Sequence, residues 1–148
     1  MCPPNALTLD GLREAVLHAG LEIYRTTAHE IVIAQRIRMH LMDSGVSVAV
    51  APLDGPLVSL TVRSQRSDFP ESAPEDLFER VRRAVDPSTG PRGFREVATA
   101  SRSVTDPVDA ENVLDVWHEL TFSKRVDALE AMIDEVRWAL ALPKCVEP

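Results

Sequence analysis

Apolar and polar positions alternate along this chain with two different periods, and the period changes several times. Leu9, Leu12, Val16 and Leu17 fall on one face of a helix over 8–19. Thr8 stands where an N-cap belongs, Leu7 and Leu12 are spaced as a hydrophobic staple, and Gly20 is a natural stop. Leu21–Arg25 alternates in its first positions and fits either a short strand or a helical connection. Thr27-Ala28-His29-Glu30 has the form of a capping box, which predicts a second helix from there to about Asp43. Ile33, Ile37 and Leu41 repeat every four residues within it, and Gly45 would end it.

Strand spacing follows. Val46, Val48 and Val50 share one face of 46–51, and Leu53-Asp54-Gly55-Pro56 supplies turn chemistry. Leu57–Arg63 returns with Val58, Leu60 and Val62 inward and Ser59, Thr61 and Arg63 outward. Residues 64–74 read as a polar loop. Ser72-Ala73-Pro74-Glu75 is a second capping box, opening a helix over about 73–86 that presents Leu77, Phe78, Val81 and Val85. On its wet side Asp76–Arg80 and Glu79–Arg83 are i,i+4 pairs. Asp86–Gly93 reads as a loop, Phe94–Val104 as a weakly amphipathic strand, and 105–112 as a break. Val113–Phe122 is a clear strand. Leu114, Val116, His118, Leu120 and Phe122 share one face, and Asp115, Trp117, Glu119 and Thr121 share the other. A helix over 126–142 closes the chain, with Val126, Leu129, Met132, Ile133, Val136 and Leu140 inward and Pro143 as its stop.

The predicted order is α-(β)-α-β-β-α-β-β-α, an α+β class. It implies a single two-layer domain over 1–148, with tails at 1–6 and 143–148. Its sheet would be mostly antiparallel and four- or five-stranded, with helices mainly on one face. If 21–25 is a strand, 21–103 reads βαββαβ, a ferredoxin-like order. If it is helical, the layout is closer to the small α/β chaperone folds of secretion systems. Neither analogy licenses a function.

Composition narrows the function classes. A chain of 148 residues that is 45% hydrophobic and 26% charged is ordinary globular material. It can bury a core without a disulfide or metal staple. Sixteen Lys+Arg against 23 Asp+Glu give a net charge of −7, which argues against general binding to nucleic-acid phosphates. Fourteen of the sixteen basic residues are Arg, a skew that GC-rich coding explains. No run approaches a membrane span, and Met1-Cys2-Pro3-Pro4-Asn5 has no signal-peptide character. Cys2 and Cys145 form no disulfide framework, so free thiols in a cytoplasmic protein are expected.

Candidate chemistry is sparse. His118 lies on an apolar strand face; it could floor a pocket as base or ligand, but a hydrogen-bonded core histidine is the simpler reading. His29 and His40, if on one helix, are roughly 16 Å apart along its axis and cannot share a metal. No metal site and no cofactor are expected. Asp106, Asp109, Glu111, Asp115 and Glu119 form an acidic run without Lys or Arg between 103 and 123. It reads better as a solvated turn than as a Ca²⁺ loop, because Pro107 interrupts it and the EF-hand spacing is absent. Ser88–Gly93 lacks the Lys and the strand–loop–helix context of a phosphate loop. Cys2 could be an N-terminal nucleophile after loss of Met1, but a thiol in a frayed tail is simpler.

Trp117 is a different signal, because Trp is enriched at binding hot spots. On a helix-free sheet face, Asp115, Trp117 and Glu119 would be open to a partner, with Arg137 and Trp138 on the last helix as support. Residues 101–148 hold 5 basic and 10 acidic side chains, most of the net acidity, so a basic partner is expected there. The expected function is a non-catalytic protein-binding, adaptor or chaperone-like module. It would act through protein partners or as a homodimer, with no nucleic acid and no membrane. The alternative is a small enzyme or ligand-binding protein with a pocket near His118.

Overall fold

The structure, a computed structural model, describes residues 7–51 and 55–148. Among these, three α-helices and six strands follow in the order α1 (Leu9–His18), β1 (Ile23–Thr26), β2 (Glu30–Ile37), β3 (His40–Val50), β4 (Pro56–Gln65), α2 (Pro74–Arg92), β5 (Arg95–Thr105), β6 (Val113–Arg125) and α3 (Leu129–Ala141). A single 3₁₀ turn, Arg66–Asp68, separates β4 from α2. The class is α+β, and the sheet is antiparallel with strand order β1-β2-β3-β4-β6-β5. Six strands replace the expected four or five, because 28–43 is not a helix. Without that helix the ferredoxin-like order fails, although 23–26 is indeed a strand.

Residues 28–43 are instead a turn, β2 and the start of β3. Ile31-Val32-Ile33 is a β-branched run, stiff at χ1 and suited to a pleated surface. Residues 31–34 are all buried, as a strand covered on both faces requires. Ile37 and Leu41, which the helical repeat placed in the core, are exposed. The helix-like start is a hairpin turn, in which the Thr27 hydroxyl accepts from the His29 and Glu30 amides at 3.2 and 3.1 Å. The helix-like stop is a bulge. Gly45 takes φ 79° where the β2–β3 register shifts, and the buried Ser44 hydroxyl donates to the Ile33 carbonyl at 2.7 Å. His29 and His40 therefore share no helix.

The chain packs as two compact units. The first holds the described residues up to Leu60 together with Ser123–Leu142. In it α1 and α3 pack on β3 and on each other, over a core that includes Leu12, Val16, Ile31, Ile33, Val46, Val48, Val58, Leu60, Met132 and Val136, all fully buried. Truncating one such side chain to Ala costs about 2–5 kcal/mol. Thr8 caps α1 by accepting from the Gly11 amide at 3.0 Å, and Gly20 follows its end at φ 82°. α3 starts later than expected, at Leu129, and Leu129 itself is exposed. Its inner face includes the buried Glu135, whose carboxylate meets the Lys124 ammonium at 2.9 Å. The Leu53-Asp54 part of the expected β3–β4 turn, like Cys2, lies outside the described residues. A Cβ at Gly55 would stand 2.9 Å from Arg125 Nε and 3.0 Å from the Val126 carbonyl, so a larger residue there would force these neighbours to shift.

The second unit holds Thr61–Phe122 and Pro143–Pro148. Its core includes Val62, Leu77, Val81, Val85, Phe94, Leu120 and Phe122. α2 runs on to Arg92, through Pro87 and Pro91, where a loop was expected. Each proline removes one i→i−4 bond, but both lie on the exposed side, where the freed carbonyls meet water. The buried Thr89 hydroxyl donates to the Val85 carbonyl at 3.0 Å, and Gly93 at φ 94° ends the helix. Ser88–Arg92 is therefore the end of α2, with Gly93 as its C-cap. Ala73, not Ser72, is the N-cap of α2, and it makes no side-chain capping bond. Glu79 meets Arg83 as expected, at 3.4 Å, while Arg80 stacks over Phe69 at 4.2 Å. Residues 144–146, expected as tail, run beside β4: the Arg63 amide donates to the Lys144 carbonyl and the Val146 amide to the Arg63 carbonyl, both at 2.9 Å.

Candidate functional site

β4 alternates buried and half-buried residues from end to end, so one face of its ladder is packed and the other is partly open. In the second unit the open face begins with Thr61 and Thr121, whose hydroxyls lie 3.0 Å apart. Farther along, the Asp115 carboxylate accepts from the Ser67 amide at 2.9 Å and the Ser67 hydroxyl at 2.7 Å. Each step of two on β4 matches a step of two back on β6, so Arg63 stands opposite Glu119 and Gln65 opposite Trp117.

Trp117 is the centre of this face. The Arg63 guanidinium lies 4.0 Å from its ring centre and that of Arg102, on β5, lies 5.1 Å away. Both are within cation–π range. Arg102 also pairs with Glu119 at 3.0 Å, its own side chain 60% exposed against 16% for Glu119. With the Gln65 amide oriented to suit its neighbours, its oxygen accepts from Arg63 at 2.8 and 3.1 Å. The result is a half-buried indole held by two guanidiniums that are themselves anchored.

Asp115 is an internal partner. Burial disfavours its charged form, but hydrogen bonds from the Ser67 hydroxyl, the Ser67 and Val116 amides and the Trp117 side chain outweigh that and hold its carboxyl below the ordinary value. It caps the 3₁₀ turn and fixes the indole. With Arg63 and Arg102 beside Asp115 and Glu119, the face is balanced in charge rather than acidic.

His118 lies on the packed side of β6 and is only 4% exposed. Its Nδ1 is 2.8 Å from the Ser101 hydroxyl on β5, and the Phe78 ring meets the imidazole edge-on at 5.3 Å. A shallow groove of about 490 Å³ runs along α2, lined by residues that include Asp76, Glu79, Arg80 and Arg83, and His118 is not among them. Leu114 and Val116 were expected in the core beside His118; Leu114 is exposed and Val116 only half-buried, because β6 runs past the packed region before its hairpin. In that hairpin the Asp106 and Asp109 carboxylates accept from the Val108 and Glu111 amides at 2.8 and 3.1 Å, which is turn capping.

Arg137 and Trp138 belong to the first unit, whereas Trp117 belongs to the second. Arg137 donates to the Ala19 carbonyl at 3.0 Å and so caps the C-terminal end of α1. Trp138 is half-buried on α3. Arg63 and Arg102 are the members of the cluster that the sequence did not single out. Alternation had placed Arg63 on the polar face, but its stacking on Trp117 follows only from the β4–β6 register. Comparison with protein-family models, curated proteins and solved structures finds no match to this chain. Among the described residues no helix is long and apolar enough to cross a membrane.

Proposed function

We propose that this chain is a non-catalytic protein-binding module whose contact surface is the open β4–β6–β5 face around Trp117. The observation that carries this reading is the half-buried indole braced by Arg63 and Arg102. Trp and Arg are the residue types that dominate binding hot spots, and bracing lowers the entropy lost when a partner docks. The partner is a protein that covers the indole and offers carboxylates or carbonyls to Arg102. A basic partner, expected from the acidity of 101–148, would meet the turn at Asp106–Glu111 rather than this face.

The test compares affinity capture by the wild-type chain and by Trp117→Ala, Arg102→Ala and Glu119→Ala, each first shown to be folded by a cooperative thermal transition. A protein held by the wild type and lost by Trp117→Ala is expected. A captured set indifferent to all three substitutions overturns the reading.

One observation favours the enzyme alternative, the 2.8 Å contact between the exposed Ser101 hydroxyl and the buried His118. A hydroxyl beside an imidazole is the start of a nucleophile–base pair. Labelling of Ser101 by a fluorophosphonate, abolished by His118→Gln, would establish it; an unlabelled chain removes it.

A further inference from the structure

The β2–β3 hairpin outgrows the rest of its sheet. β1 pairs with β2 as far as Ile33, and β4 pairs with β3 from Val46. Beyond these points the two strands pair with each other, from Ala34 with Asp43 out to Ile37 with His40. Gln35–Asp43 is exposed throughout. At 3.3 Å per residue the arm reaches roughly 13 Å past Ala34. It exposes Ile37 at 46%, Leu41 at 41% and Met42 at 46%, and Met39, at its tip, at 90%. Its turn is Arg38-Met39, both at positive φ, where Asn-Gly would sit without strain. Backbone strain that gains no packing in return, beside a cluster of exposed apolar side chains, points to side chains kept for contact.

We propose that the tip of this arm docks on the surface of an anionic lipid bilayer, with Met39 and Ile37 at the headgroup–acyl boundary and Arg38 on the lipid phosphates. Two observations choose this occupant. The first is charge. From Gln35 to Met42 the arm carries Arg36, Arg38 and His40 and no acidic residue, in a chain whose net charge is −7. The acidic groups near it stand at its base and are engaged there: Asp43 accepts from the Gly45 amide at 2.7 Å, and Glu22 pairs with Arg36 at 2.7 Å. Arg38 is at the tip itself. A charged surface meeting the tip feels the groups within a Debye length, about 8–10 Å, so the local cation outweighs the net charge of the chain. The second observation is where the apolar side chains lie. Gln35, Ile37, His40 and Met42 share one face of the ribbon, and Arg36 and Leu41 share the other. Apolar groups therefore occupy both faces as well as the tip. A protein pocket reads alternate side chains of a strand, those on one face, whereas a lipid interface surrounds whatever enters it. Entry is shallow, because the outer amides and carbonyls of the ribbon keep their water. Such a contact needs no spanning run; buried apolar area and attraction to anionic lipid add. It stands whether or not the Trp117 face binds a protein.

The experiment uses the full chain with vesicles of phosphatidylcholine, alone or mixed in equal parts with phosphatidylserine. Cosedimentation with the mixed vesicles at low salt is expected, and its loss on phosphatidylcholine alone and in high salt. Met39→Gly removes the tip side chain while relieving the backbone, so the variant stays folded; it should weaken binding to mixed vesicles at least about tenfold, the scale of one buried apolar side chain. Arg38→Ala should weaken it about fivefold, the share of one cation. In a chain carrying Cys2→Ser and Cys145→Ser, an environment-sensitive dye on Met39→Cys should shift to the blue when mixed vesicles are added. A chain that ignores mixed vesicles at low salt overturns the proposal. So does binding that both tip variants leave unchanged, or a dye that does not shift. A protein partner lost in Met39→Gly while vesicles go unbound would assign the arm to a protein groove and overturn the bilayer.

Discussion

The Arg63 guanidinium lies 4.0 Å from the centre of the Trp117 ring. The two residues sit diagonally across β4 and β6, so the contact depends on the strand register as well as on the side chains. A stack of this kind at a half-buried site contributes about 0.5–1 kcal/mol. A double-mutant cycle with Arg63→Ala and Trp117→Ala, followed by urea denaturation, should return a coupling energy of that size. Arg63→Lys should recover only part of it, because an ammonium cannot lie flat on the indole. Additive single-mutant effects would show that the contact carries no energy.

Asp115 ties the β6 strand to the turn after β4 through Ser67. Because its folded pKa lies below the ordinary value of 3.8, its contribution is present above that value and lost as pH falls through the folded one. Asp115→Asn should cost about 1–2 kcal/mol at neutral pH, the scale of hydrogen bonds to a charged acceptor. The variant should also lose part of its acid sensitivity, so that the two stability curves converge at low pH. A constant offset down to the acid limit would mean that the carboxylate charge is not what Ser67 and Trp117 hold.

The outward set of β4, the packed set ending in His118, Leu120 and Phe122, and the core of α3 were legible because period-2 and period-3.6 burial write themselves directly into residue order. The region 28–43 misled for a physical reason. Thr27 with Glu30 makes the same hydroxyl-to-amide bonds in a hairpin turn as in a helix cap, and Gly45 supplies a positive φ to a bulge as it would to a helix end. Local chemistry identified the turn positions and not the element between them. The β-branched run Ile31-Val32-Ile33 was the contrary signal. α2 shows the converse, since Pro87 and Pro91 end helices by propensity but are tolerated where the freed carbonyls are solvated. The site was half visible. Trp117 and its face follow from alternation, whereas Arg102 reaches it from another strand.

The β2–β3 hairpin closes on Arg38 and Met39, with Ile37 paired to His40 and φ values of 50° and 72° at the two central residues. Two positive φ values in a two-residue loop are the mark of a type I′ turn, which Asn-Gly suits and Arg-Met does not. Left-handed backbone costs a non-glycine residue about 1–2 kcal/mol. Met39 is 90% exposed, so its side chain returns little packing. Met39→Gly should therefore raise stability by about 1 kcal/mol, seen as a higher urea midpoint at unchanged slope. A fall in the midpoint would mean that Met39 is held by contacts its exposure does not reveal.

Lys144 lies on the segment beside β4, its carbonyl accepting from the Arg63 amide at 2.9 Å. Burial lowers its ammonium pKa from 10.5 to about 8. The sign of the pH dependence follows. Below about 8 both folded and unfolded chains carry the proton, and the folded state bears the cost of a charge removed from water. Between about 8 and 10.5 the unfolded chain binds more protons, so stability from this group rises with pH across that window. Lys144→Met keeps the stem and removes the charge. It should be more stable than the wild type at neutral pH, and the gap should close as pH climbs to 10.5. Urea midpoints for both chains across the window give the answer, since every other titrating group is common to the two. A gap that stays constant would mean that the Lys144 ammonium keeps its water in the folded chain.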